Sequence, residues 1–395
     1  SCVGPDGSLY LADMYRGVIQ HKTYLTPYLK DYIKEHDLES PLNCGRIWRI
    51  RRAAHEVAPR PAPVKLSELL TPGVASYLES PEGWWRDAAQ AELVERADAQ
   101  AADESRRVFE HSTIALARLH ALWTLEGVAF SAKARAGGGA KTDTPGLLDA
   151  DITRACADTD PNIRAAGLRL LAERAKPASP DAPATSDVLA RLDAMSADPS
   201  PVVRRQAALS LPLLNLDKAA LVERLARLIQ SDSGDRLMRV SVVNSAAGAE
   251  LELLGNLFAS SSFGSSPASA RVVGALAECL VKRNDATRRQ VVALAADLAL
   301  RDDERCVPVL KSIAAAQNLR DKKPRTIKLD AEPAHWREAL SRAGRYTPLL
   351  EASDAYLTWK GRVNEPIVRE LTESERKLFD RGRSLYTICA GCHGN

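Results

Sequence analysis

Polar and apolar positions alternate along Ser8-Leu9-Tyr10-Leu11-Ala12-Asp13, and a second alternating run follows at Arg46-Ile47-Trp48-Arg49-Ile50. A period of two predicts strands at both places, the first entered through a Gly4-Pro5-Asp6-Gly7 turn. Between them, Tyr24 to His36 carries the spacing of a short helix. Two strands alone are not stable, so the pattern predicts a sheet whose remaining strands lie upstream. From Lys65 onward the period lengthens to that of helices. Lys65–Leu78 and Gly83–Arg96 read as one pair broken at Pro81, and further helices are expected within Ile114–Val128, Leu147–Arg174, Asp187–Leu214, Lys218–Phe258 and Arg271–Asn318. Residues 53–64 are rich in Ala and Pro and read as a linker. Ser131–Pro145, Lys176–Ser186 and Ala259–Ser269 read as loops, 319–334 as a charged, proline-punctuated exit, and Trp336–Trp359 as a short helical connector.

Two of the helix breaks carry one phrase, Asp158-Thr159-Asp160-Pro161-Asn162-Ile163-Arg164 and Asp198-Pro199-Ser200-Pro201-Val202-Val203-Arg204, 40 residues apart. Proline suits the first helical turn and nothing deeper, so it stops one helix and opens the next. Aspartate accepts the free N–H groups of the new helix. The arginine can reach an aspartate of the neighbouring unit and build a ladder along a stack. Arg86 and Arg118 fit earlier, degenerate copies, and Arg239 and Arg289 later ones. A period near 40 matches HEAT or armadillo units. The expected fold is therefore mainly α, a HEAT/armadillo-like solenoid over 65–318, presenting an extended surface that holds other domains or partners. Trp84, Trp85 and Trp123 are expected to fill its core.

Composition narrows this picture only slightly. Of 395 residues, 45% are hydrophobic and 27% charged, the proportions of a globular protein, while aromatics at 5% and abundant Ala and Leu favour helices. A net charge of +3 is too small to argue for nucleic acid or an anionic membrane surface, and no apolar run is long enough to span a bilayer. The first residue is Ser1 and no leader follows it, so the chain reads as an internal piece of a larger protein.

The chemistry is concentrated at Cys389-Ala390-Gly391-Cys392-His393. Two cysteines three apart with histidine directly after form the attachment signature of a c-type haem. The thiols add to the haem vinyl groups and the imidazole becomes an axial iron ligand, which helps set the potential. A capping box at Thr372-Glu373-Ser374-Glu375 predicts a helix over Glu373–Leu385, with Leu378, Phe379, Gly382 and Leu385 along one face. A zinc site would need a second ligand pair, and His111 and His335 are not at finger spacing. A thioredoxin-type CxxC would follow a strand, whereas here a helix comes first. No methionine suited to the sixth position is present, since Met14, Met195 and Met238 lie in other regions. Of the other cysteines, Cys2 and Cys44 are expected to be able to pair, because c-type haem is attached where disulfides persist. Cys156, Cys279 and Cys306 read as small buried hydrophobes.

The phrase GPDGSLYLADMYRGVIQHKTYLTPYL, followed by GRIWRI, resembles the last propeller blade of bacterial, planctomycete-type membrane-bound dehydrogenase or haem-binding CxxCH proteins. Their propellers are similar to quinoprotein glucose/sorbosone dehydrogenases. The resemblance implies a division into 1–52 (last-blade remnant of a β-propeller), a 53–64 linker, 65–318 helical repeats, a 319–370 connector and 371–395, the start of a cytochrome c domain. It implies an exported or periplasmic oxidoreductase whose propeller oxidises a sugar or alcohol with a quinone. PQQ and calcium would sit in the rest of the propeller, and the haem would pass electrons to a redox partner protein or quinone. By resemblance to small monohaem cytochromes, Cys389 and Cys392 would carry the thioethers, His393 would be the proximal ligand, Gly382 would admit another helix, and Phe379 or Tyr386 would pack near the haem. Asp13, Tyr15, Arg16 and His21 cluster where a propeller places a top-face loop, and could contribute to a substrate, quinone or calcium pocket. The plainer alternative for them is a structural Asp–Arg pair beside a surface histidine. A second reading of the whole chain is a scaffold that binds carbohydrate or protein and carries a haem uncoupled from any propeller active site.

Overall fold

The computed structural model describes residues 1–40, 42–51, 64–136, 145–176, 186–260, 263–315, 326–362, 373–374 and 376–382. The chain is mainly helical, with a small sheet near its start, and it divides into two compact units, Ser1–Leu216 and Asp217–Asn395.

The first unit begins with an antiparallel sheet in the order β1 (Cys2–Val3), β2 (Leu9–Asp13), β3 (Arg46–Ile50). Its register places Leu9 opposite Ile50 and Asp13 opposite Arg46. β1, too short to show a period, supplies a third strand that the sequence pattern does not reveal. Helix α1 (Pro27–Glu35) sits in the excursion between β2 and β3, capped by Thr26, whose hydroxyl accepts from Leu29 N. The alternation in β3 does not produce a buried face, for Ile47 is 73% exposed and Trp48 and Ile50 are each 49% exposed. The turn that enters the sheet meets α3, where Trp85 Nε1 donates to Pro5 O at 2.9 Å and the Glu82 carboxylate lies close against Gly7.

Helices then follow one another: α2 (Thr71–Ser76), α3 (Gly83–Arg96), α4 (Ala99–His111), α5 (Ala115–Arg135), α6 (Asp149–Cys156), α7 (Pro161–Arg174), α8 (Ser186–Met195) and α9 (Pro201–Ser210). Each packs against the next one or two along the chain, α3 and α4 on α5, α6 on α7, and α7 on α9. Leu78, Leu93, Phe109, Leu122, Leu125, Ile152 and Ile163 form a continuous apolar core across them. Trp85 and Trp123 pack against that core, but Trp84 remains 38% exposed and does not fill it. The close approach of α6 and α7 depends on Gly167, where a Cβ would stand 2.7 Å from Cys156 N.

The second unit continues with α10 (Lys218–Asp232), α11 (Arg236–Ser245), α12 (Glu250–Ala259), α13 (Pro267–Arg283), α14 (Asp285–Leu300) and α15 (Cys306–Ala315). Val222, Leu225, Val242, Leu254, Leu276, Val292 and Ile313 are fully or almost fully buried among them. The expected connector is more than helical. Strand β4 (Ile327–Leu329) pairs in parallel with β5 (Leu357–Trp359), and α16 (Trp336–Arg342) and α17 (Thr347–Asp354) lie between them in the chain. Trp336 is fully buried and donates to Asp354 at 2.7 Å, whose other oxygen accepts from Arg362 at 2.6 Å. This polar anchor ties the segment to itself, while α16 packs on α14 and α17 on α15.

Of the predicted loops, Ser131–Arg135 belongs to α5 and Pro267–Ser269 to α13, where helix extends further than the Gly- and Ser-rich composition suggests. Most of the linker 53–64 and of the predicted loop Lys176–Ser186, together with 137–144, 319–325 and 363–370, lies outside the described residues. So do Leu385, Tyr386 and the motif Cys389, Cys392 and His393.

Candidate functional site

Asp13 ends β2 and Arg46 begins β3, and the antiparallel register sets them face to face. The carboxylate of Asp13 accepts from Trp48 Nε1 at 2.9 Å and from Tyr15 N at 2.9 Å, and it pairs with Arg46 at 3.2 Å. The guanidinium of Arg46 lies 3.8 Å from the Tyr15 ring centroid and 5.1 Å from that of Trp48, within cation–π range of both. The Trp48 N–H, the Tyr15 N–H and Arg46 together hold the Asp13 carboxyl below its usual range. Tyr15 adopts a left-handed backbone, φ 42°, a conformation in which the turn stays closed on Asp13.

Asp13, Tyr15 and Arg16 share an open depression of about 640 Å³ with Met14, Ile19 and Ser40. His21 is not part of its lining. Its Nδ1 accepts from Thr23 N at 3.3 Å, and its ring stands edge-on to Tyr24. Three of the four expected residues are thus brought together and the fourth is not. The Asp–Arg pair exists, but Asp13's partner is Arg46 rather than Arg16. The sequence named neither Arg46 nor Trp48 as part of the cluster, although both lay in the second strand. Pairing the two strands in register would have exposed them. Chemically, both Asp13 oxygens are committed, so this carboxylate stitches two strands and is not a free general base. Among the described residues, no group of three or more His, Cys, Asp or Glu side chains could hold a metal ion.

The thiols divide by exposure. Cys2 and Cys44 are free and exposed. In the sheet register Cys2 faces Tyr10, while Cys44 lies beyond the Asp13–Arg46 pair. The two are therefore separated by roughly 17 Å along the strands, well beyond disulfide reach. The expectation that they could pair fails on that geometry. Burial pushes the Cys156 thiol up to about 11 and the Cys306 thiol up to about 12. Burial likewise raises Cys279. Of the three, Cys306 is buried as its helical setting predicts, whereas Cys156 and Cys279 are only partly buried.

Ahead of the CxxCH motif, residues 376–382 are helical and Lys377 pairs with Glu373 at 3.0 Å, while Thr372 and Glu375 of the expected capping box lie outside the described residues. Leu378 is 70% and Phe379 58% exposed, and nothing lies within 4 Å of a Cβ placed on Gly382. The helix thus presents an apolar face with no packing partner among the described residues.

The expected ladder forms in part, with inter-unit rungs at Arg118 and Arg164 and none at Arg86 or Arg239 among the described residues. Arg118 donates to both oxygens of Asp158, at 2.9 and 2.8 Å, and Arg164 to both oxygens of Asp198, at 2.8 and 2.9 Å. Each aspartate also accepts a backbone N–H at the entry of its own helix, from Asp160 and Ser200 respectively. Burial would raise Asp158, but its bonds from Arg118 and Asp160 N outweigh this and lower it. The Arg164 bonds lead in lowering Asp198.

Residues 1–54 match a family model described as a domain of unknown function, DUF7133. No curated protein matches the chain. Among solved structures, the crystal structure of an engineered protein is 15% identical, with a TM-score of 0.22, and the match covers 73% of this chain and 98% of that one. A likeness at that TM-score carries no argument about the fold. No described helix is long and apolar enough to cross a membrane.

Proposed function

We propose that this chain is part of an exported, periplasmic oxidoreductase in which a c-type haem at Cys389, Cys392 and His393 accepts electrons from a propeller dehydrogenase domain. In this reading the helices form a HEAT-like solenoid that serves as spacer and scaffold between the two. The observation that carries it is the CxxCH motif following a Thr-x-x-Glu helix-start signal in the sequence, a combination suited to covalent haem. The donor set fits the group: two thiols for thioether bonds and one imidazole for iron. The exposed Leu378 and Phe379 support the reading, because a haem edge and the remaining cytochrome helices would cover such a face. Likewise, the exposed Ile47, Trp48 and Ile50 support a sheet that other propeller strands complete. PQQ and calcium belong, in this proposal, to the propeller outside this chain.

A second reading, a carbohydrate- or protein-binding scaffold with an uncoupled haem, is favoured by the commitment of Asp13 to structural bonds. One experiment separates the two. The complete gene product is exported with haem-attachment machinery, and its absorbance is followed on adding quinone and a panel of sugars and alcohols. Reduction of the haem by one substrate supports the dehydrogenase. A haem-stained chain that no substrate reduces favours the scaffold, and a chain without covalent haem overturns both.

A further inference from the structure

We propose that the groove between α11 and α13 is a carboxylate-binding site that takes an acidic peptide segment of a partner protein. An arginine stands four residues after the N-cap position in α3, α5, α7, α9 and α11, as Arg86, Arg118, Arg164, Arg204 and Arg239. In every one, Nη1 donates to the carbonyl six residues earlier, belonging to Ser80, Ser112, Asp158, Asp198 and Ser233, at 2.7 to 3.1 Å. That bond leaves the Nε–Nη2 edge to face outward. Arg118 and Arg164 give that edge to the aspartate two residues before the next N-cap, in the bidentate geometry that guanidinium and carboxylate share.

Arg239 has no such aspartate. It lines the groove with Arg271 and Ala275 of α13, a helix capped by Ser266, and the equivalent position there is Gly264. An aspartate does not fit at that position. Gly264 has φ +107°, and a Cβ would stand 2.7 Å from the Arg305 side chain, which crosses to the carbonyls of Phe258 and Ser260. Among the described residues, Arg239's side chain bonds only Ser233 O and Gly234 O.

The vacant edge opens onto a groove of about 470 Å³ that also holds Arg236 and Arg271, both exposed and neither ion-paired among the described residues. No acidic residue lines it, and Val240, Val243 and Ala275 give it an apolar strip. Three uncompensated guanidiniums attract an anion. The rungs at Arg118 and Arg164 indicate which anion this edge takes in this very chain, a carboxylate. The apolar strip beside it favours a peptide, which can bury a small side chain next to its acid, over a free inorganic ion. Arg86 also lacks an acidic rung, with Ser112 in that place, but its Nε is buried and so closed to a ligand.

The test is fluorescence anisotropy of a labelled hexapeptide of alternating glutamate and valine, titrated with the full chain at low salt. Saturable binding is expected. Arg236→Gln and Arg271→Gln should each weaken it roughly five- to tenfold, the loss of one charge-assisted pair. Lys311→Gln, which removes an exposed cation on α15, should leave it unchanged. Neither groove arginine holds a structural bond, so both variants should keep the wild-type circular dichroism. Three outcomes would overturn the proposal: no anisotropy change up to about 1 mM chain, equal weakening by Lys311→Gln, or full displacement by equimolar inorganic phosphate.

Discussion

Arg164 is held from two sides, by the Asp158 and Thr159 carbonyls of its own loop and by the Asp198 carboxylate of the next. Arg118 and Asp158 repeat the arrangement with side-chain exposures of 13% and 9%. A pair this enclosed matters chiefly when it is broken, because the remaining charge loses its partner without regaining water. Asp158→Ala should therefore cost about 2–3 kcal/mol in urea unfolding, and a double-mutant cycle with Arg118→Ala should show coupling of about 1–2 kcal/mol. The pH dependence follows from the direction of the shift. Asp198 is lowered from 3.8, first by Arg164, so the folded chain keeps it ionised where the unfolded chain has bound a proton. Its contribution is complete above the unfolded value and is lost as pH falls through the folded one. Between about pH 5 and about pH 3, Asp198→Asn should thus lose less stability than the wild type does. A parallel loss in both would mean that the pair does not set the acid limit. Asp13 makes the opposite point about reading residues singly. Its type and its loop suggested a pocket, and its bonds to Trp48, Tyr15 and Arg46 make it a fastener.

At the scale of elements, proline and capping residues made boundaries legible. Gly83–Arg96 and Arg46–Ile50 have the ends that the sequence predicts, and Asp160 and Ser200 cap the helices that Pro161 and Pro201 open. Helix α4 escaped the pattern because alanine and serine carry much of its buried face, Ala101, Ala102 and Ser105 with Val108 and Phe109, amid charged neighbours. Strands β1, β4 and β5 are too short, at two or three residues, to show any period. Gly167 was equally silent, since a glycine inside a helix looks like a defect. Gly167→Ala would ordinarily add roughly 1 kcal/mol of helix propensity. Here the methyl would meet the α6 backbone at 2.7–2.8 Å, so the variant should instead lose about 1–3 kcal/mol by urea denaturation. Trp85→Phe should remove the bond to Pro5 while keeping most of the ring contact with Tyr77, at a cost of about 1 kcal/mol. An unchanged midpoint would mean that the sheet and α3 are not held through that indole.

For the molecule as a whole, the sequence and the fold inform different ends of the account. Helical content was legible because caps and apolar spacing are local properties. The CxxCH motif is a property of the sequence alone, and the haem proposed for it rests on covalent attachment needing those residue types at that spacing, whatever the surrounding fold. What strand pairing adds, such as the Asp13–Arg46 partnership and the separation of Cys2 from Cys44, depends on contacts distant in sequence and emerged only with the register. The proposed electron path stands or falls on Cys389, Cys392 and His393. The most direct measurement is the mass of the proteolytic peptide that contains them, after export of the gene product with haem-attachment machinery. The account predicts a peptide heavier by one haem, retained under reducing and denaturing conditions and absent from the Cys389→Ala, Cys392→Ala double variant. A peptide of unmodified mass, or a haem adduct that persists in the double variant, would contradict it.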